Sequence, residues 1–196
     1  MTIETTLFDP NGRRLYLTPE ERVAFRAAAL EGPRQVRTFC TVLHDTGCRI
    51  SEALALTPMR IDLNGQAIVF ESLKKRRNGV YRAVPVPEAS LDALDMVHGL
   101  REQRQAKNGE IDTPLWGWSR MTAYRKVMEV MNAANIEDGP HKCPKGLRHA
   151  FGIQAITKGV PLNMLQKWMG HAKMETTAIY ANALGEQQRE IAARMW

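Results

Sequence analysis

Apolar residues recur at helical spacing along most of the chain. Val36, Phe39, Cys40 and Leu43 fall on one side of a helix that begins near Arg34, because positions three and four apart share a face. The same kind of pattern predicts helices over residues 18–31, 49–56, 88–106, 119–131, 145–158, 161–169, 174–180 and 186–195. Short helices are stable only when their apolar faces pack together, so the pattern predicts one packed, mainly helical domain.

Capping residues set several helix boundaries. Thr18 precedes Pro19 and is followed three positions later by Glu21, a combination that satisfies the free N–H groups at a helix start. Gly159 and Gly170 follow the last apolar residues of two later helices, where glycine commonly ends a helix. Residues 1–17 lack a helical pattern, and we expect them to form an irregular arm.

Residues 66–73 and 80–87 form a strand-like region around Asn78-Gly79, which is a hairpin signal. They predict a small antiparallel β-ribbon, so the expected fold class is α+β, mainly α with this one ribbon. The tip end of the ribbon carries four consecutive cations, Lys74, Lys75, Arg76 and Arg77. These cations are either a solvated run that protects an edge strand or a finger that contacts phosphates.

The chain is basic, with a net charge of +6 and a pI of about 9.4 over 196 residues. A basic surface favours a polyanionic partner, most often nucleic acid. The three cysteines lack metal-like pairing, which suits reduced thiols in a cytoplasmic protein and predicts no metal site. Since no apolar run reaches the length that spans a bilayer, we expect no membrane association.

Four residues in the chain have the chemistry that an attack on a phosphodiester needs: Arg49, Arg148, His171 and Tyr180. Guanidinium groups grip phosphate oxygens and favour the phenolate of a tyrosine, whose pKa is ordinarily about 10. Three of these residues, taken alone, have an ordinary structural interpretation. Arg49 would pair with Glu52 or Glu71, His171 would cap a helix end, and Tyr180 would pack in the core.

Four short strings of the chain nevertheless occur together, in a fixed order. They are Thr46-Gly-Cys-Arg49-Ile-Ser-Glu52, Gly146-Leu-Arg148-His149, Met169-Gly170-His171 and Thr177-Ala-Ile-Tyr180. In order and spacing this set resembles the tyrosine recombinase (phage-integrase) family, and the resemblance covers most of residues 18–196. It implies the catalytic-domain fold of that family.

The resemblance also implies a role for each matching residue. Tyr180 would be the nucleophile that joins a DNA 3′-phosphate, and Arg49 and Arg148 would hold the non-bridging oxygens. His171 would donate a further hydrogen bond. Lys74 would protonate the leaving 5′-oxygen, with Lys75 as the alternative, and Glu52 would orient the basic residues. Lys75, Arg76 and Arg77 are expected to contact double-stranded DNA, and the reaction would need no metal, ATP or other cofactor.

Two departures from the family pattern leave alternatives open. The usual histidine three positions before the second arginine is Lys145 here, which suits a phosphate contact better than a base. Only residues 1–17 precede the first helix, where most members carry a DNA-clamping domain, so the sequence is either a catalytic domain that works alone or a fragment. A catalytically weak or inactive DNA-binding regulator is therefore the alternative function, and a relaxing topoisomerase is a third.

The resemblance divides the chain into an arm (1–17), a catalytic domain (18–184) and a C-terminal helix (185–196). That helix is expected to dock on a neighbouring subunit. The protein would then act in the bacterial cytoplasm, associated with the nucleoid when bound, as a tetramer on two DNA sites. Without DNA it would be a dimer or a monomer.

Overall fold

Nine α-helices, a short 3₁₀ helix (Pro58–Arg60) and a three-stranded sheet make up the regular structure of the part of the chain that the computed structural model describes, namely residues 6–71, 79–105, 113–181 and 193. The helices are α1 (Pro19–Glu31), α2 (Arg34–Thr46), α3 (Ile50–Leu54), α4 (Glu88–His98), α5 (Leu100–Gln105), α6 (Arg120–Ala133), α7 (Pro144–Thr157), α8 (Leu162–Met169) and α9 (Glu175–Ala178). The strands are β1 (Ile61–Asp62), β2 (Ala67–Glu71) and β3 (Tyr81–Pro85). The expected fold class, mainly helical with a small antiparallel sheet, is confirmed.

The core lies around α2, whose apolar face packs against α1, α4 and α7. Phe39 on α2 is fully buried and meets Trp116 edge to face, with ring centroids 5.1 Å apart. Phe25 on α1 is also fully buried. Large aromatic side chains contribute most of the apolar area removed from water, so this cluster fixes the scaffold on which α3 and α7 are placed.

The sheet has the order β1-β2-β3, and both strand pairs are antiparallel. The sequence predicted only the two longer strands; the short β1 pairs with the start of β2. In β3, burial alternates strictly, so that Arg82 and Val84 face inward while Tyr81 and Ala83 face solvent. This alternation brings an arginine onto the buried side of the sheet.

The helix predicted over residues 88–106 is wrong in one respect, because it is two helices. Gly99 lies between α4 and α5 in the left-handed conformation (φ 61°), and its N–H donates to the Asp95 carbonyl oxygen. A left-handed residue closes a helix, and glycine adopts that conformation without steric cost. The Asp95 side chain then accepts hydrogen bonds from Arg101 at the start of α5.

The three cysteines are free thiols, and they differ in exposure. Cys40 and Cys48 are buried, and burial raises the pKa of each thiol to about 12. Cys143 is half-buried at the residue that precedes α7. Among the described residues, no helix combines the length and the apolar composition that crossing a bilayer demands.

Candidate active site

Arg49 lies immediately before α3, in the position of the N-cap. Its backbone N–H donates to one carboxylate oxygen of Glu52 at 2.8 Å, and its guanidinium Nη1 donates to the other oxygen at 2.8 Å. The ion pair with Glu52 that was one interpretation of Arg49 is therefore present. It also fixes the direction of the guanidinium, whose side chain remains 28% exposed and so within reach of a ligand.

Glu52 is buried and joins Arg49 to a second arginine, Arg82 on β3. Arg82 Nη2 donates to Glu52 at 2.7 Å, and Arg82 Nε donates to the carbonyl oxygen of Trp168 near the end of α8 at 2.7 Å. Burial acts to raise the pKa of Glu52, but the hydrogen bonds and charge of Arg82 hold it below its usual value. The carboxylate is thus ionised and links α3, β3 and α8.

Arg148 lies on the buried side of α7, and backbone carbonyl oxygens at the ends of two other helices, α2 and α8, accept hydrogen bonds from it. Nη1 donates to the Gly47 oxygen and Nη2 to the Met169 oxygen, each at 2.6 Å. Burial, with the nearby charge of Arg49, lowers the pKa of Arg148 to about 10, so it stays charged at neutral pH. A guanidinium has only donors, so both carbonyl oxygens accept hydrogen bonds from it. Arg148 therefore holds the ends of α2 and α8 together, close to Arg49.

His171 follows Gly170, which ends α8 in the left-handed conformation (φ 64°). Its Nε2 is 3.0 Å from Arg148 Nη2, and its Nδ1 is 2.9 Å from the Thr177 hydroxyl. Arginine can only donate, so Nε2 is the acceptor and Nδ1 carries the proton. Burial and the Arg148 guanidinium lower the pKa of His171 to about 3, and the imidazole is neutral.

Tyr180 follows α9 and is only 1% exposed. Its ring lies nearly parallel to that of His171, with centroids 6.3 Å apart and an interplanar angle of 17°. Burial raises the pKa of Tyr180 to about 12, although the charges of Arg148 and Arg49 act to lower it. The phenol is thus beside the two arginines, and in this conformation it is neutral and out of contact with solvent.

The hydroxyl of Tyr180 is 3.1 Å from Nδ1 of His149 on α7. His149 is itself buried, and burial together with the charge of Lys145 lowers the pKa of its imidazole to about 4. The residue that follows Arg148 is therefore in direct contact with the candidate nucleophile. Lys145 is exposed in the first turn of the same helix.

The ribbon cations Lys74, Lys75, Arg76 and Arg77 lie outside the described residues. The base of the ribbon is nonetheless close to the site, because β2 ends at Glu71 and β3, which carries Arg82, begins at Tyr81. A cavity of about 210 Å³ opens there between β3 and α8. Its lining includes Tyr81, Arg82, Lys167 and His171.

Arg49, Glu52, Arg148, His171 and Tyr180 thus meet in one place, although they come from four separate segments. A family model described as the phage integrase family matches residues 16–187. The chain belongs to the phage integrase family.

The relatives of this chain within the phage integrase family include tyrosine recombinases from bacteria and archaea. Tyrosine recombinase XerD of Mycobacterium leprae is 29% identical over 198 residues, which cover 92% of this chain and 61% of the relative. Tyrosine recombinase XerA of Pyrococcus furiosus is 27% identical over 168 residues, with 81% and 54% covered. The chain spans 52% to 61% of the length of the first three relatives it matches.

Solved structures of other family members share the fold. A XerA recombinase aligns with a TM-score of 0.74 and 25% identity, covering 92% of this chain and 64% of that one. The catalytic domain of bacteriophage HP1 integrase aligns with a TM-score of 0.64 and 21% identity. That alignment covers 85% of this chain and 86% of the HP1 domain, so the two have nearly the same extent.

Sequence reasoning missed two residues of the candidate site. Arg82 lies within the predicted strand over residues 80–87 but was given no role, although its spacing from Val84 and Val86 places it on the buried face. Thr177 was quoted within a matching string but was given no role. It is fully buried and fixes the His171 tautomer, an assignment that depends on a contact between separate turns of the chain.

Proposed function

We propose that this chain is the catalytic part of a site-specific DNA recombinase that cleaves and rejoins DNA through a covalent bond to Tyr180. The observation that carries the proposal is the convergence of two arginines and a histidine beside a buried tyrosine, held in place by backbone carbonyl oxygens and Glu52. Its ion pair with Glu52 is enough to explain the position of Arg49. It does not explain why Arg148 is buried beside it with mainly uncharged partners.

In the proposed reaction the Tyr180 oxygen attacks the phosphorus of one DNA strand. A bond forms between that oxygen and phosphorus, and the bond from phosphorus to the 5′-oxygen breaks. Arg49 and Arg148 neutralise the charge that builds up on the non-bridging oxygens, and they favour the phenolate, which forms by losing its proton to solvent. The phosphotyrosine keeps a phosphodiester-like linkage, so rejoining with a 5′-hydroxyl needs neither ATP nor a metal.

The leaving 5′-alkoxide requires a proton, and we propose Lys74 as its donor, with Lys75 as the alternative. A lysine close to other cations has a lowered pKa, which suits a general acid. The position of the ribbon base beside Arg82 and His171 supports this assignment. Lys145 and the cations Arg76 and Arg77 are proposed to contact DNA phosphates.

Phosphate binding would change the contacts of His171. In the structure its Nε2 accepts from Arg148, and a neutral imidazole in this tautomer cannot also donate there. A phosphate anion that bound the Arg148 guanidinium would replace that contact and favour a proton on Nε2. His171 would then donate to a non-bridging oxygen, as the role proposed for it requires.

The test is a suicide DNA substrate, nicked next to the cleavage position so that the released fragment diffuses away. The protein should form a covalent adduct that resists denaturing gel electrophoresis, and Tyr180→Phe should abolish it while binding the same DNA. Tyr124→Phe, at an exposed tyrosine of α6 outside the site, is the control and should leave the adduct unchanged. Binding without an adduct at every site tried would favour the alternative, a DNA-binding regulator.

We further propose that the active form, acting on DNA in the cytoplasm, is a tetramer on two DNA sites, joined through residues 185–196. An apolar groove of about 830 Å³ between α1 and α7 supports this; Val23, Leu30 and Ile153 line it. Residues 185–196 lie largely outside the described residues, and their sequence carries Ile191 and Met195 for such a groove. Arg22 and Lys158, which line the groove, are opposite in charge to Glu186 and Glu190 of that segment.

A further inference from the structure

The hydroxyl end of Tyr180 is held against α7 instead of pointing at a phosphate site. Its oxygen is 3.1 Å from His149 Nδ1, and both side chains are buried. The described part of the chain gives the His149 ring one hydrogen-bond partner, since Nε2 is buried without one. If Tyr180 moved away, Nδ1 would lose the one hydrogen bond that the ring makes here. The hydrogen bond therefore favours the withdrawn position of the tyrosine.

Gly152 makes room for the Tyr180 ring one turn further along α7. A Cβ atom built on Gly152 would lie 2.6 Å from Cζ of Tyr180 and 2.7 Å from both Cε atoms. These distances are too short for any side chain at this position while the ring stays where it is. Glycine is a poor residue in the middle of a helix, so its presence fits a position where the ring must approach the backbone closely.

The enclosure of Tyr180 conflicts with the reaction proposed for it. An in-line attack requires the phenol oxygen to contact a phosphorus atom, yet Tyr180 is 1% exposed and its oxygen faces His149. The segment that carries it is short, since α9 has four residues and begins shortly after the left-handed Gly170. Outward movement of this segment would free the phenol oxygen from His149 and expose it to a phosphate held by Arg49 and Arg148.

We infer that His149 and Gly152 form a resting slot for Tyr180, and that His149 is a positioning residue that sets how often the nucleophile is withdrawn. The inference rests on the proposed function in so far as Tyr180 is the nucleophile. In the resting state the phenol is hydrogen-bonded to His149, and its ring fills the space over Gly152. DNA binding draws the segment after Gly170 outward. The larger the fraction of molecules whose Tyr180 remains in the slot, the slower adduct formation is.

A role for His149 as the base that deprotonates Tyr180 is less consistent with its surroundings. Burial and the charges of Lys145 and Arg148 lower the pKa of His149 to about 4, whereas burial raises the pKa of Tyr180 to about 12. Transfer of the proton from the phenol to this imidazole would be strongly unfavourable in the slot. The two roles also predict opposite effects on the reaction rate when His149 is replaced.

The first experiment measures the reactivity of Tyr180 without DNA. Nitration by tetranitromethane is followed by mass spectrometry of peptides, with the exposed Tyr81 and Tyr124 as internal references. His149→Phe removes the hydrogen bond at similar size, and Gly152→Ala blocks the slot while leaving His149 in place. We expect nitration of Tyr180 to rise about fivefold in His149→Phe, as losing one ordinary hydrogen bond implies, and to rise in Gly152→Ala as well. His149→Gln, which retains a hydrogen-bonding group, should restore part of the protection.

The second experiment measures adduct formation on the suicide substrate at saturating DNA. The first-order rate should rise in both variants by about the factor seen in nitration, while the DNA concentration for half-saturation stays within twofold of the wild type. A base would instead give a slower rate in His149→Phe, with unchanged nitration.

Unchanged nitration of Tyr180 in both variants overturns the slot, whatever the DNA experiment gives. A decrease in the adduct rate of His149→Phe also overturns it. If nitration responds as expected but the wild type forms no adduct with any site tried, the slot is supported and the proposed recombinase reaction is contradicted instead. The two conclusions therefore fail separately.

Discussion

At the scale of single residues, the site holds two histidines in the neutral form beside permanently charged arginines. Burial is the larger cause for both, and it lowers the pKa of His171 to about 3 and of His149 to about 4. In an unfolded chain both would titrate near 6.5. The difference between the folded and unfolded values links the protonation of the site to the stability of the whole domain.

The unfolding free energy should therefore fall as the pH decreases from 7 to 5. Below about pH 6.5 the imidazoles bind protons in the unfolded chain but stay neutral in the folded one. The unfolding free energy therefore falls by up to about 1.4 kcal/mol per pH unit for each histidine. His171→Gln should remove one such contribution in urea unfolding at pH 7, 6 and 5. Thr177→Val, which removes only the partner of Nδ1, is the control and should keep the wild-type slope. Equal slopes in His171→Gln and the wild type would contradict the prediction.

The identity of the general acid is also a single-residue question. A bridging 5′-sulfur in place of the 5′-oxygen makes a better leaving group, because a thiol has a far lower pKa than an alcohol. We expect the Lys74→Ala variant to form adduct at least about 100-fold more slowly than the wild type on ordinary DNA, in line with typical general-acid contributions, and to recover with the sulfur substrate. Lys75→Ala serves as the comparison. Recovery confined to Lys75→Ala would assign the role to that residue.

At the scale of elements, the Arg82–Glu52 pair joins the strand β3 to the helices α3 and α8. Arg82 on β3 reaches Glu52 in α3 and the Trp168 carbonyl oxygen in α8. The Gly170 backbone also packs against the Arg82 guanidinium, since a Cβ there would lie 3.0 Å from Nη1. The orientation of Arg49 and the position of His171 therefore depend on one buried strand residue.

Arg82→Ala should lower the unfolding free energy by about 3 kcal/mol, because it leaves a buried carboxylate with less compensation. The matched control is Arg60→Ala, at a more exposed arginine whose nearest carboxylate, in Glu71, is 3.8 Å away; its cost should stay below about 1 kcal/mol. Combining Arg82→Met with Glu52→Gln should recover part of the loss in urea unfolding. No difference between the Arg82 and Arg60 variants would show that the pair does not stabilise the fold.

At the scale of the whole molecule, the groove between α1 and α7 and the candidate active site use opposite faces of α7. Arg148 and His149 lie on its buried side near the start, whereas Ile153 and Lys158 line the groove near its end. A neighbouring subunit seated in the groove would thus press on the helix that forms the resting slot. Assembly and reactivity are linked through this one helix in the proposed tetramer.

Deleting residues 185–196 should abolish the largest complexes on a DNA carrying two sites, as measured by light scattering after size exclusion. Val23→Asp, which places a charge in the groove at a residue that is 70% exposed, should have the same effect with little loss of stability. Met96→Asp, at an exposed apolar residue of α4, is the control and should assemble normally. Full assembly of the variant that lacks residues 185–196 would rule out this segment as the contact between subunits.

Much of this architecture was predictable because its determinants are local. The ends of α1 and α8 follow from Thr18 and Gly170, and the pairing of Arg49 with Glu52 is a contact between positions three apart. Contacts between distant segments were not predictable in this way. Arg82 meets a carbonyl oxygen 86 positions away, and the contact between His149 and Tyr180 depends on how α7 and the segment after α9 pack together.

The unequal burial of the three thiols has a practical consequence. A maleimide in neutral buffer should react with Cys143 and spare Cys40 and Cys48, whose enclosed sulfurs ionise only near pH 12. A single dye can therefore be attached to the natural sequence without removing any cysteine. It would lie two residues before Lys145, where its emission would report the arrival of the DNA backbone in real time.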